Sequence, residues 1–215
     1  MSEAALNSTE EPQSADVPAT GTRKRPKPGE RRVQILRALA DMLEKPGAER
    51  VTTAALAARL DVSEAALYRH FASKAQMLEG LIEFIEQSVF TLVNQIGERN
   101  ENGQAQAGLL VAMLLQFAEK NPGMTRVMVG DALVFENERL QQRMNLFFDK
   151  FEAALRQALR GGAGDSEEAG APSGDASVRA SVLSAFAVGR LQRFARSGFR
   201  RMPSEHLDAS LAAML

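Results

Sequence analysis

The stretch TTAALAARLDVSEAALYRHFASK, residues 52–74, constrains this chain more than any other. Leu56, Ala57 and Leu60 form a short apolar helical face, and a break follows at Asp61-Val62. Ser63 then opens a second short helix in which Leu67 and Phe71 stand one turn apart. Two short helices joined by a tight turn make a helix-turn-helix, whose second helix fits the major groove of B-DNA. Thr52 and Ser63 sit just ahead of the two apolar runs, where a side-chain oxygen accepts from an otherwise unpaired backbone N–H. Ala57 and Ala58 are small, as a close helix crossing requires.

With Leu56, Leu60, Leu67 and Phe71 turned to a core, the outer face of the second helix holds Glu64, Ala65, Tyr68, Arg69 and His70. Tyr68, Arg69 and His70, with Lys74 a turn further on, suit phosphate oxygens. Ala65 and Ala66 let the helix approach base edges. The same pattern also fits a hairpin that merely packs, with Tyr68 and His70 as ordinary surface residues. The wording of the segment separates the two readings. VSEAALYRHFASK, preceded by VTTAALAARL, resembles the DNA-binding domain of the TetR repressor family. Asp61 stands at a turn position where that family usually has Gly. Aspartate is one of the few other residues that visits the left-handed region, so a slightly strained turn is expected.

Charge supports a nucleic-acid partner once it is divided along the chain. The net charge is −1. Residues 1–21 carry four acids and no base, 22–80 carry twelve bases against seven acids, and 81–215 carry fourteen against sixteen. The positive excess therefore falls on the helix-turn-helix portion, where neutralising phosphates needs it. The absence of Cys removes disulfides, thiolate zinc sites and thiol nucleophiles, and His70 and His206 are far apart. No cofactor, metal or catalytic residue is expected, and no enzyme. The start of the chain does not read as a secretory signal and no apolar run is long enough to span a bilayer, so a cytoplasmic, nucleoid-associated protein is expected.

No strand pattern appears, so the fold class is all-α. Residues 1–29 lack periodicity and read as a disordered arm ending in the basic cluster RKRPKPGERR, either a solubilising tail or an arm along the DNA backbone. The helix-turn-helix domain is assigned to 30–75, with a first helix from Glu30 to Glu44, and a helical dimerisation and partner-binding domain to 76–215. Ser73-Lys74-Ala75-Gln76 has the pattern of a capping box opening a long helix to about Glu98. Residues 105–118 are apolar almost all round and predict a central, buried helix. Pro122 suits the first turn of the next helix. Residues 161–177 read as a flexible loop, and a last short helix follows Pro203. The stripes of 140–159 and 178–199 either pair across a dimer axis or close the core of one chain.

GERRVQILRALADMLE, LIEFIE and NPGMTRVMVGDALVFENERLQ carry a narrower resemblance, to the nucleoid occlusion branch of the same family. It implies a homodimer on palindromic chromosomal sites, with one or several dimers per site. It also implies engagement of the C-terminal tail of the division GTPase FtsZ and a block on Z-ring assembly over the nucleoid. Carried over residue by residue, the DNA-reading set is Thr52, Ser63, Ala65, Ala66, Tyr68, Arg69, His70 and Lys74. The FtsZ-facing groove lies between the fourth and fifth helices with Phe84, Lys120 and Asn121. Leu92 stands where a basic residue is expected, and Gln116 where Gly is. The plainer reading makes Phe84 a core residue and Asn121 a helix-end residue. The alternative function is a TetR-type transcriptional repressor released by a small ligand, which Gln116, Asn94 or Asp131 would orient.

Overall fold

The computed structural model describes residues 29–45, 51–99, 102–161 and 173–215. Residues 1–28 of the arm expected over 1–29, and residues 162–172 of the loop expected over 161–177, lie outside these. Nine α-helices, and no strand, are found among the described residues. They are α1 (Glu30–Leu43), α2 (Thr53–Arg59), α3 (Glu64–Tyr68), α4 (Lys74–Arg99), α5 (Gly103–Lys120), α6 (Pro122–Met128), α7 (Glu138–Gly161), α8 (Ser173–Arg196) and α9 (Leu207–Met214). A single 3-10 turn, Asp131–Leu133, joins α6 to α7.

Each boundary has a local cause. Thr52 Oγ1 accepts from Ala55 N at 3.2 Å and Ser63 Oγ from Ala66 N at 3.2 Å, so both helices of the reading unit are N-capped as their sequence requires. Asp61 is left-handed at φ 53°, the conformation expected of the turn. Ser73 Oγ accepts from Gln76 N at 3.2 Å. The reciprocal bond of the box reaches one residue further back, from Ala72 N to Gln76 Oε1 at 2.8 Å. Asn102 caps α5, and Pro122 occupies the first turn of α6.

The three-helix head closes over Ile35, Leu39, Leu43, Leu56, Leu67 and Phe71, each at most 3% exposed. At about 1.5–3 kcal/mol per large apolar side chain removed from water, this small cluster is what holds the short α2 and α3 in place. Arg32 adds a lid. Its guanidinium stacks 4.1 Å from the Phe71 ring centre and donates to the His70 carbonyl. The last base of the cluster RKRPKPGERR is thus engaged within the protein.

The body packs α7 against α4, α5 and α8. Leu140, Met144, Phe147, Phe151 and Leu155 of α7 and Leu183, Ala187 and Leu191 of α8 are buried within the chain. Both stripes weighed for a dimer axis therefore close the intramolecular core. Exposed apolar residues remain beside them at Leu146, Val178 and Val182. The expected burial of α5 is also one-sided. Leu110, Val111, Leu114 and Leu115 are buried, whereas Leu109 is 45% exposed.

The expected loop over 161–177 is shorter than its composition suggests. Gly161 ends α7, and residues 173–177 already belong to α8. Asp175 explains the early start. It lies in the first turn, where a carboxylate complements the helix dipole, and pairs with Arg179 one turn on at 3.1 Å. Arg190 and Arg193 of α8 reach Ser210 at 3.2 Å and Glu205 at 3.5 Å and fasten α9 and its lead-in.

Candidate nucleic-acid and partner interface

The five-residue α3 is too short to hold itself together, since isolated helices of this length do not form in water. Its Ser63 cap and the buried Leu67 set its position, leaving Ser63, Glu64, Ala65, Tyr68 and Arg69 exposed. A relay braces that exposed face. Tyr68 Oη donates to Thr53 Oγ1 at 3.4 Å, and Thr53 in turn donates to Glu64 Oε2 at 2.6 Å. Thr53 is absent from the residue set inferred from sequence, although it stands next to the cap. Nothing in sequence sets it apart from Thr52, because its role depends on where α3 crosses α2.

Thr52 is exposed, and Ala66 and His70 are half-buried. Lys74 differs from the others. Its Nζ lies 2.7 Å from Glu136 Oε1, in the segment between the 3-10 turn and α7, so it is engaged by the body. Two further ion pairs follow along α4: Arg139 with Glu79 at 2.6 Å and Arg143 with Glu86 at 2.6 Å. The second is bidentate, with Arg143 Nε also donating to Glu86 Oε1 at 3.1 Å. That hydrogen bond, more than the surrounding carboxylates, raises the Arg143 pKa.

On α4, Phe84 is 47% exposed and Leu92 37% exposed, so the core reading of Phe84 does not hold. Gln116 and Lys120 are exposed on α5. Asn121 is half-buried, and its side-chain amide donates to the Phe117 carbonyl at 2.7 Å, closing the end of α5. Of the three polar residues weighed as ligand-orienting, Asn94 lines an open cleft of about 730 Å³ with Glu98, Gln106 and Gln157. Gln116 and Asp131 do not line it. No cluster of metal-ligating side chains occurs among the described residues, and no described helix is long and apolar enough to cross a membrane.

A capped helix-turn-helix on an all-helical body defines a DNA-binding regulator, and comparison with known proteins narrows the class. Residues 35–81 match the model of bacterial regulatory proteins of the tetR family, and residues 104–214 match the SlmA-like tetracyclin repressor-like C-terminal domain. The nucleoid occlusion factor SlmA of Idiomarina loihiensis is 47% identical over 184 residues, covering 86% of this chain and 93% of that protein. SlmA of Vibrio cholerae is 48% identical over 179 residues, covering 83% and 90%. Among solved structures, the fatty acid degradation regulator FadR from Bacillus halodurans superposes with a TM-score of 0.70 at 13% identity, over 88% of this chain and 97% of that one. The TetR family regulator PfmR from Thermus thermophilus does so with 0.68 at 19%, over 85% and 97%. These two show a shared fold. The chain belongs to the TetR family of non-enzymatic DNA-binding regulators, within its SlmA branch.

Proposed function

We propose that this protein is a nucleoid occlusion factor. As a homodimer on palindromic chromosomal sites it binds the C-terminal tail of FtsZ and prevents Z-ring assembly over the nucleoid. Residues 30–75 read DNA through Thr52, Ser63, Ala65, Ala66, Tyr68, Arg69, His70 and Lys74. Residues 76–215 carry the dimer face and the partner groove. The observation that carries the reading is Phe84, a large aromatic 47% exposed on a helix whose other face is core. It stands on α4, with Lys120 exposed at the end of the neighbouring α5, offering an apolar anchor and a base to a peptide that is part apolar and part acidic. Support for the biological setting comes from the SlmA relatives, which are named nucleoid occlusion factors. Leu146, Val178 and Val182 are the exposed apolar residues available to a second copy.

Sedimentation of GTP-assembled FtsZ with this protein, with and without DNA selected as its binding site, tests the reading. Loss of polymer that depends on the DNA is expected. Undiminished polymer alongside demonstrated specific DNA binding would turn the reading to a ligand-released repressor, with the cleft around Asn94 as the place to look.

A further inference from the structure

We propose that Glu136 is a built-in competitor of DNA phosphate for Lys74, so that this one body carboxylate sets the affinity of the DNA head. The inference rests on the reading of Lys74 as a phosphate ligand.

Lys74 is the first residue of α4, where the unpaired N–H groups and the helix dipole disfavour a cation. An ammonium there needs an anion. In the free protein Glu136 supplies it, with Nζ 2.7 Å from Oε1 and side chains only 29% and 14% exposed. The carboxylate is held in place rather than floating. Glu136 N donates to the Leu133 carbonyl at 3.0 Å, and the next residue, Asn137, caps α7 through a 3.0 Å bond to Arg139 N.

The polarity of the pair also sets it apart. In the two bridges further along α4, the acids Glu79 and Glu86 lie on α4 and the arginines on α7. At the DNA end the arrangement is reversed, with the base on α4 and the acid on the body. The base is a lysine, a compact charge on a flexible stem that changes partners readily, whereas Arg143 holds Glu86 in a bidentate pair. One ammonium cannot fully serve both Glu136 and a phosphate. When Lys74 turns to DNA, Glu136 is left largely buried, unpaired and facing a polyanion. The carboxylate therefore opposes binding twice, by occupying Lys74 and by repelling phosphate.

The test is equilibrium binding to a selected site and to random duplex, across a range of salt concentrations. It uses the wild type, Glu136→Gln, Lys74→Ala and the double variant. Glu136→Gln is expected to tighten both kinds of DNA roughly two- to fivefold, the scale of a partly exposed ion pair. The gain should shrink in the Lys74→Ala background to the smaller part that relief of phosphate repulsion supplies alone. Unchanged affinity for Glu136→Gln, where Lys74→Ala weakens binding and lowers the salt slope by about 0.9, would overturn the competition and leave Lys74 a phosphate ligand. The same tightening with and without Lys74 would also overturn it, as a bulk charge effect. Wild-type affinity and slope in Lys74→Ala would overturn the phosphate-ligand reading itself. Should Glu136→Gln lose its helical signal, Glu136→Asp, which lengthens the pair while keeping the charge, is judged by the same Lys74-dependent criterion.

Discussion

Gly123 of α6 lies against the backbone of Ala40 in α1 so closely that a Cβ on Gly123 would stand 1.9 Å from the Ala40 carbonyl oxygen and 2.8 Å from its carbon. No side chain mediates this contact, so the body touches the DNA head backbone to backbone. Gly123→Ala should push α6 off α1. The expected loss is about 1–3 kcal/mol, the scale of overpacking a rigid contact, and DNA affinity should fall with it. Urea unfolding checks the first part and DNA titration the second. Wild-type values in both would show that the α1–α6 crossing gives way without consequence.

Ser63→Ala should cost about 1 kcal/mol, because α3 has five residues and one side-chain cap. The cost should appear more strongly in DNA affinity than in melting, since α3 is a small part of the whole fold. If affinity and melting temperature both match the wild type, packing of Leu67 alone orders the helix.

Asp61 occupies φ 53°, where a branched side chain costs about 1–2 kcal/mol and glycine costs nothing sterically. Asp61→Val should therefore lower the melting temperature, and Asp61→Gly should lower it less or raise it. Thermal denaturation of the pair decides this, and equal losses would mean that the aspartate side chain, rather than its backbone, matters at the turn.

Phe84→Ser should leave stability within about 0.5 kcal/mol, as surface changes do, and leave DNA binding intact, while abolishing DNA-dependent loss of FtsZ polymer. Leu92→Arg should strengthen that loss by restoring a base to the groove. Sedimentation reads both variants, and normal antagonism by Phe84→Ser would remove the anchor from the proposed groove.

Arg143→Met should destabilise the protein by about 1–2 kcal/mol, between the values for exposed and buried pairs, by leaving Glu86 without its bidentate partner. Because the Arg143 pKa is raised, its contribution is undiminished at neutral and moderately alkaline pH and is lost only as pH rises through the folded value. That window lies above the working range, so the stability gap between wild type and variant should stay constant from about pH 7 to pH 10. A gap that closes on the alkaline side would contradict the assignment.

The reading unit was legible from sequence because its signals are local. Thr52, Ser63 and Asp61 act on backbone within a turn of themselves, and Leu56, Leu67 and Phe71 announce their burial by helical spacing. The start of α8 was not legible, because a Gly- and Ser-rich composition concealed the Asp175–Arg179 pair that stabilises its first turn. Sequence by itself determined the all-helical class, the caps at Thr52, Ser63 and Ser73 and the family to which the chain belongs. Only tertiary structure decided that the α7 and α8 stripes are consumed inside one chain, that Phe84 faces outward and that Lys74 is held by Glu136. The physical reason is separation along the chain. Caps and turns are settled by neighbours a few residues away, whereas an ion pair such as Arg143–Glu86, or a backbone contact such as Gly123–Ala40, exists only once distant helices have packed.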